Sequence, residues 1–139
     1  MANKELPSIW QLRVFETVAR LESVTRASQE LLRSQPATTS CIAAVEALLG
    51  ATLFERSSTG IYLTGVGDAV LVRARKILSA VEDAVALVPG TRSIAPQAVA
   101  SRITRTQMRC LAAIAECHSF RGAARMLGIT EASLQRAAR

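Results

Sequence analysis

At 139 residues, half of them apolar and only 4% aromatic, the chain has room for one medium domain or two small ones packed on Leu, Val, Ile and Ala. Its net charge of +6 is lopsided: residues 1–90 hold nine Lys/Arg and nine Asp/Glu, whereas residues 91–139 hold eight Arg and two acids. That excess suits nucleic acid through counterion release, or is merely a basic solvated surface; the odd cysteine count (Cys41, Cys110, Cys117), without zinc spacing, excludes a disulfide scaffold or a zinc module.

The three thiols are expected to be reduced and half-buried in a cytosolic protein, with a redox-sensing role for Cys41 left open. The opening MANKELPSIW has no apolar core of a signal peptide. The most apolar stretch, Val66–Val88, carries Asp68, Arg73, Arg75, Lys76, Glu82 and Asp83, which argues against a membrane span. A soluble, cytoplasmic protein is the expectation.

A first helix is predicted over Ser8–Leu21, with Ser8 as cap and Leu12, Phe15, Val18 and Ala19 on one apolar face. Ser23 or Thr25 starts a short second helix, about Thr25 to Leu32, whose Ala27 and Leu31 face the core. A turn at Arg33–Ser34 leads to a third helix, Gln35–Leu49, stopped by Gly50. Ser34 caps it, and Pro36 is tolerated in the first turn because those amides lack intrahelical partners. Ile42, Val45 and Leu49 form its buried stripe. Gln35, Pro36, Thr39, Ser40 and Ala43 form a small, polar opposite face, of the kind that meets base edges in a major groove. An ordinary amphipathic helix would look the same.

Two strand-like runs, Thr52–Arg56 and Ile61–Thr64, flank a turn at Ser57–Gly60 and make a hairpin of the length of a wing. Arg56 at its base is either a nucleic-acid contact or one half of an ion pair with Glu55 or Glu46. A long helix follows from Thr64 to Val88, with Pro89–Gly90 as its stop. Val66, Ala69, Val70, Ala74, Ile77, Val81, Ala84, Val85 and Val88 exceed what one small domain needs to cover. The surplus points to a partner helix, most simply a second copy, unless a later unit of the same chain covers it. Thr91–Ala100 lacks periodicity and reads as a linker.

Residues 107–139 repeat residues 11–43 without a gap at an offset of ninety-six, six of the thirty-three pairs being identical. Apolar positions pair as well, Leu12 with Met108, Phe15 with Leu111, Val18 with Ile114 and Val24 with Phe120, and so do the caps Ser34 and Thr130. The second copy has Gly128 and Ile129 where the first has Leu32 and Arg33. Gly128 takes a positive φ freely, and Ile129 is expected to plug the core, while Arg33 must snorkel out or point at DNA. The second copy also carries Arg121, Arg125, Arg136 and Arg139, and ends without a wing.

The motifs QLRVFETVA, SVTRAS, SQPATTSCIAAVEALLG and LFERSSTGIYLTGVGDAVL, in that order and spacing, resemble the N-terminal DNA-binding domain of LysR-type bacterial transcription regulators. The resemblance covers about two-thirds of the chain. It implies a mainly α fold: a winged helix-turn-helix with a small β-hairpin wing and a long dimerisation helix, here joined by a second helix-turn-helix. The implied organisation is a winged DNA-binding domain over 1–64, a linker or dimerisation helix over 65–90, a linker over 91–102 and a second, truncated helix-turn-helix over 103–139.

It further implies that Gln35, Pro36, Thr39 and Ser40 enter the major groove, with Thr25, Arg26, Ser34 and Arg56 near phosphates. In the second copy Arg121, Thr130 and Arg136 take such places, and Val70, Ile77, Val81 and Val85 mark the dimer helix. Departures from the family pattern are Thr38 and Arg33 where apolar residues are usual, Ser40 where a basic one is, and a recognition helix with no Lys or Arg at all. The two-lobed effector domain implied by the resemblance has no counterpart here, so no small-molecule effector and no cofactor are expected to bind this chain.

The leading reading is a sequence-specific regulator that binds double-stranded DNA as a homodimer. The alternative is a helix-turn-helix interaction module with weak or lost DNA binding. An enzyme is not expected. The one histidine, His118, follows Cys117 on a predicted helix, where neighbours point apart and no nucleophile–base pair forms. His118 reads instead as a helix C-cap.

Overall fold

The computed structural model describes residues 6–90 and 93–138. The start of the predicted linker, Thr91 and Arg92, and the terminal Arg139 lie outside the described residues. The chain divides into two compact units, Met1–Arg102 and Ile103–Arg139.

In the first unit, α1 spans Ile9–Leu21, α2 Val24–Glu30 and α3 Gln35–Leu49. Each helix begins where a serine supplies the missing acceptor. Ser8 Oγ accepts from Gln11 N–H while the Gln11 side chain accepts from Ser8 N–H, a reciprocal capping box. Ser23 accepts from Arg26 N–H and Ser34 from Ala37 N–H. Of the two candidate caps for α2, the structure therefore uses Ser23. That helix begins and ends one to two residues earlier than expected, because Leu31 and Leu32 already belong to the turn. Gly50, at φ +66°, ends α3 as predicted.

The hairpin pairs β1 (Phe54–Ser57) with antiparallel β2 (Gly60–Leu63) in the register Phe54–Leu63 to Ser57–Gly60. It is tied to α3 by Glu46, whose carboxylate accepts from Leu53 N–H at 2.7 Å and Phe54 N–H at 3.2 Å. Phe54 packs on Phe15 with ring centroids 5.4 Å apart. The core they share, with Val18, Ala27, Val45 and Leu53, is buried.

The long helix α4 runs Gly65–Ala86, with Thr64 capping Gly67 N–H, and ends two residues before the expected Val88. It lies on α1, where Arg13 and Glu82 form an ion pair. The predicted linker is corrected in its second half. Pro96–Ala100 forms a short helix, α5, packed on α4, with Ala100 fully buried and Gln97 donating to the free oxygen of Glu82 at 3.2 Å. A five-residue helix has no period to read, and it holds only through packing on a surface that α4 supplies.

The second unit contains α6 (Arg105–Cys117), α7 (Phe120–Leu127) and α8 (Glu131–Ala137). Shifted by ninety-six positions, α1 and α6 coincide at both ends, and α2/α7 and α3/α8 coincide at their starts. The capping box recurs on Thr104 and Gln107. Glu22 and His118 both close their helices in the left-handed region, at φ 50° and 51°, and Leu32 at 53° matches Gly128 at 67°. Buried positions coincide too: Val14 with Cys110, Thr17 with Ala113, Ala27 with Ala123, Thr38 with Leu134. The equivalence thus extends from residue types to backbone conformation. Ile129, expected in the core, is instead 39% exposed; Leu134 fills that centre.

Candidate nucleic-acid interface

Helix α3 separates its two faces sharply. Thr38, Ile42 and Val45 are buried, whereas Gln35, Pro36, Thr39, Ser40 and Ala43 are exposed. Thr38 is a polar residue in an apolar place. Its hydroxyl donates to the Ser34 carbonyl at 3.1 Å, so burial leaves no unpaired donor. Leu31 and Leu49, assigned to buried faces, are only half-buried, as is Ala19.

A small cleft of about 190 Å³ runs between α3 and the hairpin, bounded by Val24, Thr39, Ala43, Phe54, Arg56 and Ile61. It brings Arg56 beside the open face of α3. Among the described residues Arg56 forms no ion pair, and Glu46, one of its two expected partners, is held by backbone amides. Thr25 and Arg26, at the start of α2, are exposed, and Ser34 spends its oxygen on the α3 cap. Thr39 and Arg56 therefore line one accessible cleft, and Gln35, Pro36 and Ser40 are exposed on α3.

Arg33 takes the first of its expected courses and is exposed. Its guanidinium lies 5.1 Å from the centroid of Trp10, a cation–π contact that anchors the turn to α1. Leu32 beside it is 91% exposed. Burial pushes the Cys41 thiol up from its ordinary value, which keeps it protonated and works against a redox-sensing role.

The residues expected to mark the dimer helix divide. Ile77 is exposed, Val70 and Val81 are half-buried, and Val85 is buried within this chain. Val85 is thus corrected from partner contact to internal core, since α5 packs on that end of α4.

In the second unit Arg121 reaches Glu131 at 3.3 Å in a solvent-exposed pair. Thr130 caps α8, and Arg136, exposed, donates to Ser133 Oγ at 3.2 Å. Sequence reasoning missed the Glu46 tie and the Arg13–Glu82–Gln97 node. Neither follows helical or strand spacing: Glu46 reaches across the turn to amides seven and eight residues on, and Arg13 lies 69 residues from Glu82.

A helix-turn-helix followed by a hairpin packed on its third helix defines a winged helix-turn-helix. The profile of the family described as bacterial regulatory helix-turn-helix protein, lysR family, matches residues 9–68. The chain is 43% identical over 79 residues to the HTH-type transcriptional regulator GalR of Pseudomonas putida, covering 57% of this chain and 20% of that protein. It is 38% identical over 116 residues to the RuBisCO operon transcriptional regulator of Allochromatium vinosum, covering 81% of this chain and 38% of that protein. Among solved structures, the CbnR_DBD–DNA complex matches at 40% identity and a TM-score of 0.54, over 55% of this chain and 88% of that one. The chain belongs to the LysR family of bacterial regulatory helix-turn-helix proteins. It spans between a fifth and two-fifths of the length of these two regulators.

Proposed function

We propose that this chain is the DNA-reading part of a bacterial transcription regulator, working in the cytoplasm as a homodimer and catalysing no reaction. The observation that carries the reading is the accessible cleft that Thr39 and Ala43, on the open face of α3, line together with Arg56. It is supported by similarity to a domain solved on DNA at 40% identity. Gln35 pairs with adenine edges, Pro36 or Ala37 meets thymine methyl groups, and Thr25, Arg26, Ser34 and Arg56 hold phosphates. Short side chains on α3 leave part of the recognition to DNA shape.

Fluorescence anisotropy of the chain on DNA from upstream of its own gene, against a scrambled duplex, tests this. The native duplex is expected to win, and Gln35→Ala to remove about 1–3 kcal/mol of that preference. Equal, weak binding to both duplexes would instead favour an interaction module, consistent with a recognition helix that bears no Lys or Arg.

Dimerisation is assigned to the stripe of α4 formed by Val66, Val70, Ile77 and Ala84, which recur at helical spacing beside the buried face of Gly67, Ala74, Leu78 and Val85. Placing a charge at its centre, Ile77→Lys, is expected to yield a monomer by sedimentation equilibrium with the helical circular dichroism unchanged. A dimer that survives this substitution refutes the assignment.

A further inference from the structure

We infer that residues 103–139 make a second, separate contact with duplex DNA, gripping phosphates through arginines that the first unit lacks. The inference goes beyond the proposed function, which rests on the first unit alone.

The conformational equivalence of the two units sets up the comparison. Because α6, α7 and α8 reproduce the caps, left-handed positions and several of the buried positions of α1, α2 and α3, each exposed residue of one unit has a defined counterpart in the other. The differences run both ways: Arg20, Arg26 and Arg33 of the first unit are answered by Glu116, Gly122 and Ile129, while cations are gained at other positions. Thr25 is answered by Arg121, Gln29 by Arg125 and Ser40 by Arg136, and all six residues are exposed. Three neutral positions have become cations on the faces that flank the helix-turn-helix.

The charge balance follows the same line, since residues 103–139 hold six Arg and two acids, a net of +4. Surface cations clustered on one small unit bind a polyanion by releasing its counterions, and the effect needs no base readout. Arg121 already has Glu131 as a partner, but a pair so exposed is loosely held. Among the described residues Arg136 meets the neutral Ser133 hydroxyl and no carboxylate. Arg125 and Arg136 therefore carry the proposal.

One feature favours a different partner. Leu111 and Phe120, counterparts of the buried Phe15 and Val24, are 48% and 43% exposed. In the first unit the hairpin covers that face; in the second it is open and would suit a protein.

The experiment uses the whole 139-residue chain, a mixed-sequence duplex, and anisotropy over a range of salt concentrations. The double variant Arg125→Gln/Arg136→Gln is expected to bind about tenfold more weakly and to flatten the slope of log Kd against log salt by about 1 to 2, roughly one for each phosphate no longer neutralised. The double Lys variant is expected to keep the slope. Gln35→Ala should reduce the preference for the native duplex without changing the slope, which separates this inference from the function proposed for the first unit. An unchanged slope in the Gln variant overturns the inference. So does an equal loss in the Lys and Gln variants, which would mark a structural role. If Leu111→Glu abolishes self-association while the arginine variants leave the slope untouched, the second unit is a protein-docking surface and the inference fails.

Discussion

Gly67→Ala is expected to destabilise the first unit by about 3 kcal/mol, at the top of the usual range for overpacking. The sign runs against helix propensity, by which alanine in place of an interior helical glycine gains about 1 kcal/mol. Position decides it. Gly67 sits in the first turn of α4, where the helix passes over the chain entering the hairpin. A Cβ there would stand 2.2 Å from the Leu53 carbonyl oxygen and 2.9 Å from a Leu63 methyl. The first of these is backbone and cannot swing aside.

Relief requires α4 or the Leu53–Phe54 segment to move, and Glu46 holds the amides of that segment to α3. Stability and the placement of Arg56 beside α3 should therefore fail together. Urea denaturation followed by circular dichroism measures the first effect and anisotropy on DNA the second. An alanine variant as stable as the parent, or more so, would show that the close approach is not real. Gly65, two residues earlier, has nothing within 4 Å of its would-be Cβ and serves as the control.

Much of this architecture is legible locally. Ser8, Ser34 and Thr64 announce helix starts by chemistry that acts over three residues, and Gly50 announces a stop through the left-handed conformation it adopts without strain. The open face of α3 is legible because small polar residues recur there at helical spacing. What escapes depends on how side chains pack in three dimensions, whether the partner is remote or near in the chain. Val85 looks like any other surplus valine until α5 is seen packing on its end of α4. Thr38 looks like a surface residue until its hydroxyl is found turned back on Ser34. Arg33 reads as a free cation because nothing in its neighbourhood of sequence predicts Trp10, which lies back on α1. Ile129 reads as core by its side chain alone, whereas the centre of its unit is filled from α8 by Leu134.

Phe15→Ala and Leu111→Ala, the same position in the two units, are expected to differ in cost by about 3 kcal/mol, the difference between closing a cavity and uncovering half a side chain. Phe15 is fully buried and packs on Phe54, so truncation removes transfer energy and leaves a cavity, at about 3–5 kcal/mol. Leu111 is already 48% exposed, and what it loses is only the half that is covered, about 1 kcal/mol. The asymmetry does not come from the side chains, since a leucine in a closed core would lose about 2–5 kcal/mol on the same change, much as the phenylalanine does. It comes from the hairpin, which seals that face in the first unit and has no counterpart among the described residues of the second. Because two compact units need not unfold together, the cost has to be read from each separately. Hydrogen exchange followed by mass spectrometry, comparing amide protection in peptides from α1 with those from α6, does this in one sample. Equal losses of protection in the two variants would mean that Leu111 is sealed in solution by something else, and the face that the first unit closes with its wing would then be closed in the second as well.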